Sequence, residues 1–226
     1  MSVTPFAAIH ARVVDRFGSA KAIERELPQP LSNAELIARD DAFYLSLMSR
    51  RVFRAGLKHA LVDNKWSAFE NAFYGFNPRR LEALSDEELE AYMGNDQIIR
   101  HFGKIKSIRA NATMVERVAR ESGSFGQWLA DWSGEDIVGL WAWLKKNGNQ
   151  LGGLSGPYFL RMAGKDTFIL TDDVVAALVN ANVVSRRPTT QAEMRAVAAA
   201  FNGWRGETGR PLCQLSRLLS LTVNYA

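Results

Sequence analysis

Apolar residues recur every three or four positions along most of the chain, the spacing that turns one face of an α-helix toward a core. In PFAAIHARVVDRF (residues 5–17) this places Phe6, Ile9, Val13, Val14 and Phe17 on one stripe and predicts an amphipathic helix. DDAFYLSLMSRRVFRAGLKHALV (40–62) predicts another, with Asp40 or Asp41 as N-cap and Gly56 either an interior glycine or a break. SAFENAFYGF (67–76) runs into the stop signal Asn77-Pro78. In LSDEELEAYMG (84–94), Ser85 and Glu88 have the spacing of a capping box, and Gly94 closes the segment. DQIIRHFGKIKSIRANATMVERVARES (96–122) is a long amphipathic run. DIVGLWAWLKKNG (136–148) ends in Lys145, Lys146 and Gly148, as a helix C-terminus favours.

Three more helical patterns follow, at 173–184, 190–201 and 211–223. DTFIL (166–170) is the one good strand candidate, and it is short. The expected fold is all-α, with many short helices in one or two lobes. The chain, 1–226, is read as a single unit.

Composition narrows the function more by exclusion than by direction. Hydrophobic residues are 47% and charged residues 23%, so wholesale disorder is excluded. The formal charge of +4 permits nucleic-acid binding without demanding it. Cys213 is the sole cysteine and reads as a small buried apolar residue, so neither an intrachain disulfide nor a thiolate cluster can form. His10, His59 and His101 are too scattered for a metal-binding spacing. No metal and no cofactor are expected. No apolar run reaches membrane-span length, and the first residues lack a signal-peptide core, so the expected compartment is the cytoplasm.

The chemistry-bearing stretch is LGGLSGPYFL (151–160), a glycine-rich turn between two helical patterns, with TDDVV (171–175) downstream. Glycines at 152, 153 and 156 open backbone angles closed to other residues and leave no Cβ facing a phosphate. Amides entering the next helix form an anion site. A plain helix–helix connection explains the glycines equally well. Asp173, before VVAAL, is placed as an N-cap would be, at a helix end that stabilises its ionised form. Arg100, Lys104 and His101 fall close enough to share one helical face.

The spacing of Leu151, Gly153, Leu154, Ser155 and Gly156 resembles the hairpin of helix-hairpin-helix DNA glycosylases, which also carry an essential aspartate about twenty residues on. Here Asp172 and Asp173 stand there. A more specific resemblance, over residues 40–176, is to the DNA-3-methyladenine glycosylase I family. It rests on Ala55-Gly56-Leu57, on Phe76-Asn77-Pro78, on Ile98 to Ile105 followed by Asn111-Ala112, and on Leu144-Lys145-Lys146 with Gly148. Arg51 occupies the position of that family's base-recognising glutamate, reversing its charge, and His59 that of its pocket tryptophan. The family's zinc ligands have no counterparts.

The resemblance implies a helix-hairpin-helix element at 136–164 and a DNA glycosylase that flips a modified, alkylated purine out of duplex DNA and hydrolyses its N-glycosidic bond. Asp173, or Asp172 after a one-residue slip, would stabilise the sugar cation and orient water. Gly153, Leu154, Ser155, Gly156, Arg100 and Lys104 would bind DNA; Arg51, Phe53, His59 and Tyr44 would line the base pocket. Bifunctional relatives carry a lysine nucleophile where Pro157 stands, which implies a monofunctional enzyme. Double-stranded DNA is the implied partner and a monomer the expected state. The alternative is a non-catalytic helix-hairpin-helix DNA-binding protein that has lost the methyladenine pocket.

Overall fold

The computed structural model describes residues 3–223, which form fifteen α-helices, two short 3-10 turns and no strand. They fall into two compact units, each discontinuous in sequence. One comprises Leu31–Trp132 and Trp141–Lys165; the other takes the chain up to Pro30, Ser133–Leu140 and the residues from Asp166 onward.

The first of these units is built around the helix Phe102–Ser122, against which Asp41–Arg54, Pro78–Glu82 and Phe125–Asp131 pack. Its core is aromatic. Phe53, Phe69, Phe73 and Phe76 are fully buried, Trp66 lies nearly parallel to Phe76 at 5.3 Å, and Ile105 and Ile108 close the cluster from the long helix. Each fully buried side chain of this size contributes about 1.5–3 kcal/mol of transfer free energy. That burial offsets local strain: Tyr74 and Phe76 both hold positive φ, at 54° and 58°, in the turn that swings Phe76 under Trp66.

Helix ends follow the sequence signals closely where a cap exists. Asp40 is the N-cap of Asp41–Arg54, its Oδ1 accepting from the Phe43 amide at 2.8 Å. Ser85 and Glu88 form the expected capping box. Gly56, with φ at 76°, is a break, so the run 40–62 divides into Asp41–Arg54 and His59–Asn64. The long run also starts late. Its helix begins at Phe102, not Asp96, because His101 turns its Nδ1 to the Lys104 amide at 3.3 Å and caps there.

In the other unit, Phe6–Phe17, Asp172–Asn180 and Gln191–Thr208 each pack against Leu212–Leu221. Phe6, Ile9 and Val13 are buried as the stripe predicts, but Phe17 at its end is exposed. Residues 166–170 are not a strand. They form a largely buried connection whose polar groups are served by a helix rather than a neighbouring strand. The Asp166 carboxylate accepts from the amides of Leu212 and Cys213, both at 2.9 Å, and the Ile169 amide donates to Ser216 Oγ at 3.1 Å. Phe168 lies flat on Phe201 at 4.1 Å. A short apolar run reads alike as strand or buried coil; here the ring stack and the helix cap decide it.

Candidate active site and nucleic-acid interface

The hairpin connects Ile137–Asn147 to Ser155–Ala163. Leu151 is buried and anchors it, while Gly153 and Leu154 form an exposed tip. Gly153 has φ at 57°, and a Cβ there would meet only open space. Gly156 is the opposite case: a Cβ would lie 2.9 Å from the Leu151 carbonyl oxygen, so this glycine is required by close packing inside the turn. The amides of Gly153 and Leu154 donate to no acceptor among the described residues. Ser155 begins the second helix, and no side chain caps it. Exposed, unpaired amides at a helix entry are what anion binding needs.

Two side-chain clamps fix this backbone. Asn111, fully buried on the long helix, donates from Nδ2 to the Asn149 carbonyl at 3.1 Å and accepts at Oδ1 from the Asn149 amide at 2.7 Å. Gln150 Nε2 donates to the Gly103 carbonyl at 2.8 Å. Trp128 packs on Trp143 at 4.4 Å and on Trp132 at 5.4 Å, bracing the first hairpin helix.

The basic residues do not share a face. Arg100 is exposed but precedes the helix, and His101 is the cap. Lys104 is buried at 7% exposure, its Nζ donating to the carbonyls of Ala55 at 2.6 Å and Phe53 at 3.2 Å. Those carbonyls end the Asp41–Arg54 helix, so Lys104 is a C-terminal tie and not a phosphate ligand. The late helix start leaves Arg100 and His101 outside the helix, so the three share no helical face.

Of the expected base-pocket residues, Phe53 and Tyr44 are core. Phe53 packs edge-on against Phe69 at 4.6 Å. Tyr44 is fully buried and donates its hydroxyl to the Leu36 carbonyl at 2.6 Å; burial pushes its pKa up to about 12. His59 is exposed at the start of its helix. Arg51 is different. Its neighbours Arg50 and Arg54 both bind Asp63, at 2.9 Å and 2.7 Å, whereas Arg51 has no carboxylate. Its guanidinium lies 4.6 Å above the ring of Tyr158, and its buried Nε has no hydrogen-bond partner. Burial lowers the Arg51 pKa; Tyr158 opposes that shift and Arg54 adds to it. Lys104 is also lowered, by burial first and then by the Arg51 charge. Tyr158 escaped the sequence reading because an aromatic after Gly-Pro carries no periodic signal of its own.

The aspartates lie in the other unit. Asp173 is not the N-cap: Thr171 is, its side chain accepting from the Val174 amide at 3.3 Å, and the helix starts at Asp172. Asp172 is exposed and ion-paired with Arg187, which also donates to the Leu170 carbonyl at 2.8 Å. Asp173 sits in the first turn, partly shielded. The threonine hydroxyl takes the capping role that spacing alone suggests for Asp173.

The methyladenine glycosylase family matches residues 36–146, the span holding the long helix, the Lys104 tie and the Arg51 position. The match spans just under half of the chain. Together with the structures that follow, it supports a DNA glycosylase, an enzyme that hydrolyses N-glycosidic bonds in base excision repair. A structure of 3-methyladenine DNA glycosylase I is 25% identical, with a TM-score of 0.51, over 62% of this chain and 84% of that one. A variant of the Staphylococcus aureus enzyme of that name is 23% identical, with a TM-score of 0.52, over 66% of this chain and 89% of its own. The Methanocaldococcus jannaschii 8-oxoguanine glycosylase/lyase in complex with DNA is 14% identical but covers 94% of this chain and 95% of its own, with a TM-score of 0.53. At that identity it shows the shared all-α fold alone. Among the described residues no group of three or more His, Cys, Asp or Glu could hold a metal ion, and no helix is long and apolar enough to cross a membrane.

Proposed function

We propose that this glycosylase acts as a monomer on double-stranded DNA in the cytoplasm, with the hairpin as its phosphate grip and Asp173 as its reactive carboxylate. The hairpin carries the reading: Gly153 and Leu154 present unpaired amides at an exposed, Cβ-free tip that buried Asn111 holds rigid. A groove phosphate accepts from such amides without side-chain charge. Ser155 adds a hydroxyl at the helix entry, and Gly156 lets the turn close. Arg100, exposed and outside any helix, adds a positive charge to the same function.

Base release requires a nucleotide extruded from the stack, a positive charge tolerated on the sugar as the glycosidic bond lengthens, and a water delivered to C1′. The Asp173 carboxylate is suited to the last two demands by its place in the first turn of its helix, at the positive end of the dipole. The hairpin position of the bifunctional relatives' amine is Pro157, which is buried and has no nucleophilic group, so water is the attacking species there.

The test is a panel of duplexes, each with one modified base, incubated with the protein and scored for abasic sites by alkaline cleavage. Excision of at least one modified purine, with no strand cleavage before alkali, is the expected result. Binding to every duplex with no abasic site in any would favour the non-catalytic alternative.

A further inference from the structure

Arg51 is an unsatisfied cation held in place. Its helix carries Arg50 and Arg54 on either side, and both have found Asp63. Arg51 instead lies on the Tyr158 ring at 4.6 Å, with Nε sealed from water and unpartnered. Its other neighbours are cations: Arg54 along the helix and Lys104, whose ammonium is tied to Phe53 and Ala55. A buried N–H without an acceptor is costly and uncommon in a native protein. Its donors point to a ligand that brings acceptors and no positive charge.

We propose that Arg51, backed by Tyr158, selects an extruded purine that is neutral and offers a carbonyl oxygen or ring nitrogen, in preference to a cationic N-alkylated one. The inference rests on the glycosylase reading above. A guanidinium fork matches the O6 and N7 acceptors of a guanine-type edge with two parallel hydrogen bonds. Neutral modified purines such as O6-alkylguanine or hypoxanthine keep an acceptor on that edge. An N7-alkylated guanine loses the N7 acceptor and brings a positive charge toward Arg51 and Lys104 together, in surroundings where screening by water is reduced. A phosphate would satisfy the same donors, but Nε is closed and the guanidinium face is covered by Tyr158, which leaves the in-plane terminal nitrogens to meet a ligand. That arrangement suits one planar base edge approaching in the plane of the guanidinium, not a strand passing over an open surface.

Affinity for hydrolysis-resistant duplexes separates recognition from chemistry. Each duplex carries one 2′-fluoro nucleotide bearing hypoxanthine, O6-methylguanine, N7-methylguanine or undamaged guanine, and the Kd is measured for the wild type, Arg51→Gln and Arg51→Glu. The wild type is expected to bind at least one neutral lesion about tenfold more tightly than N7-methylguanine, the scale of one good bidentate pair. Arg51→Gln should flatten this preference and Arg51→Glu should reverse it, while the undamaged duplex keeps its affinity and salt dependence in all three. Equal or tighter wild-type binding of N7-methylguanine overturns the proposal. So does a salt slope that falls by about one in Arg51→Gln, because that marks a lost phosphate contact. Failure of the glycosylase reading shows separately, as intact glycosidic bonds in the same lesions carried on ordinary deoxynucleotides.

Discussion

Asn111 grips Asn149 with both ends of its amide, accepting the Asn149 N–H at 2.7 Å and donating to the Asn149 carbonyl at 3.1 Å. A buried helix side chain thereby fixes the first residue past the Gly148 turn, and with it the tilt of the hairpin tip. Asn111→Ala strands both backbone groups of Asn149, although that residue is itself exposed enough for water to serve part of the loss. The expected destabilisation is about 1–3 kcal/mol in urea unfolding, the cost of leaving buried partners unsatisfied. Duplex affinity should fall more than global stability accounts for, and amide exchange at Gln150 to Leu154 should accelerate. Normal exchange there would show that the turn needs no clamp.

Two hairpin glycines should respond in opposite ways. Gly156→Ala drives a Cβ to 2.9 Å from the Leu151 carbonyl oxygen, so the melting temperature falls and binding falls with it. Gly153 faces open space, and its substitution is limited by φ at 57°, a left-handed angle that costs an ordinary residue about 1–2 kcal/mol. Gly153→Ala should fold and retain weakened binding. Gly153→Glu should fold about as well but bind duplex far more weakly, since its carboxylate meets the phosphate. Equal affinities for the two folded Gly153 variants would remove the tip from the interface.

Lys104 and Arg100 separate structure from interface. Lys104→Ala removes the ammonium that serves the Phe53 and Ala55 carbonyls, so it should destabilise by about 1–3 kcal/mol and leave the salt slope of duplex binding unchanged. Arg100→Ala should leave stability within about 0.5 kcal/mol and reduce the salt slope by about 0.9, one phosphate's share. Salt titrations of the three proteins decide this, and a reduced slope in Lys104→Ala would mean that the ammonium reaches DNA after all.

The sequence carried the fold well because helical periodicity, caps and stop signals are local. Ser85 with Glu88 and Asp40 act within one helical turn, and the structure places them as read. Asn77-Pro78, which reads as a stop, instead opens the helix Pro78–Glu82, with Asn77 accepting from the Arg80 amide, because the preceding helix already ends at Ala72. The site was less legible because it depends on contacts far apart in sequence. Lys104 reads as a surface charge until the Asp41–Arg54 helix ends against it, and Arg51 resembles Arg50 and Arg54 until Asp63 takes two of the three. Asp173 looks like the cap in sequence because spacing alone does not rank it against Thr171, two positions earlier, whose side chain takes the role.

Glu193 gives stability a measurable acid limb. Hydrogen bonds from the Thr189 and Thr190 amides, with Arg186 nearby, hold its pKa at about 2, below the ordinary 4.5. A carboxyl lowered in the folded state contributes stability that is complete above 4.5 and is lost as pH falls toward about 2. Glu193→Gln keeps the shape but cannot ionise. The wild type should therefore melt above the variant at pH 6, and the gap should close between pH 4.5 and 2. A pH-independent gap would assign the effect to geometry instead of charge.

The two aspartates should part company in single-turnover excision. Asp172 is exposed and paired with Arg187, so Asp172→Asn gives up a surface ion pair worth about 0–1 kcal/mol and leaves base release near the wild-type rate. Asp173→Asn keeps the Thr171 cap, so its helix forms and the loss from the helix dipole is about 0.3–1 kcal/mol. Its chemistry should suffer far more. An amide stabilises an oxocarbenium-like sugar poorly and cannot take a proton from water, and losing general-base assistance alone costs about a hundredfold or more. Duplex affinity should stay close to wild type, because the role proposed for the carboxylate is on the sugar cation and not on phosphate. A substrate whose damaged base leaves readily would retain some residual rate, so the comparison is made on the best substrate and on a slower one. A larger loss on the slower substrate is expected. Wild-type excision by both asparagine variants on both substrates would remove Asp173 from the chemistry, and equal losses in both variants would assign the effect to the helix start they share.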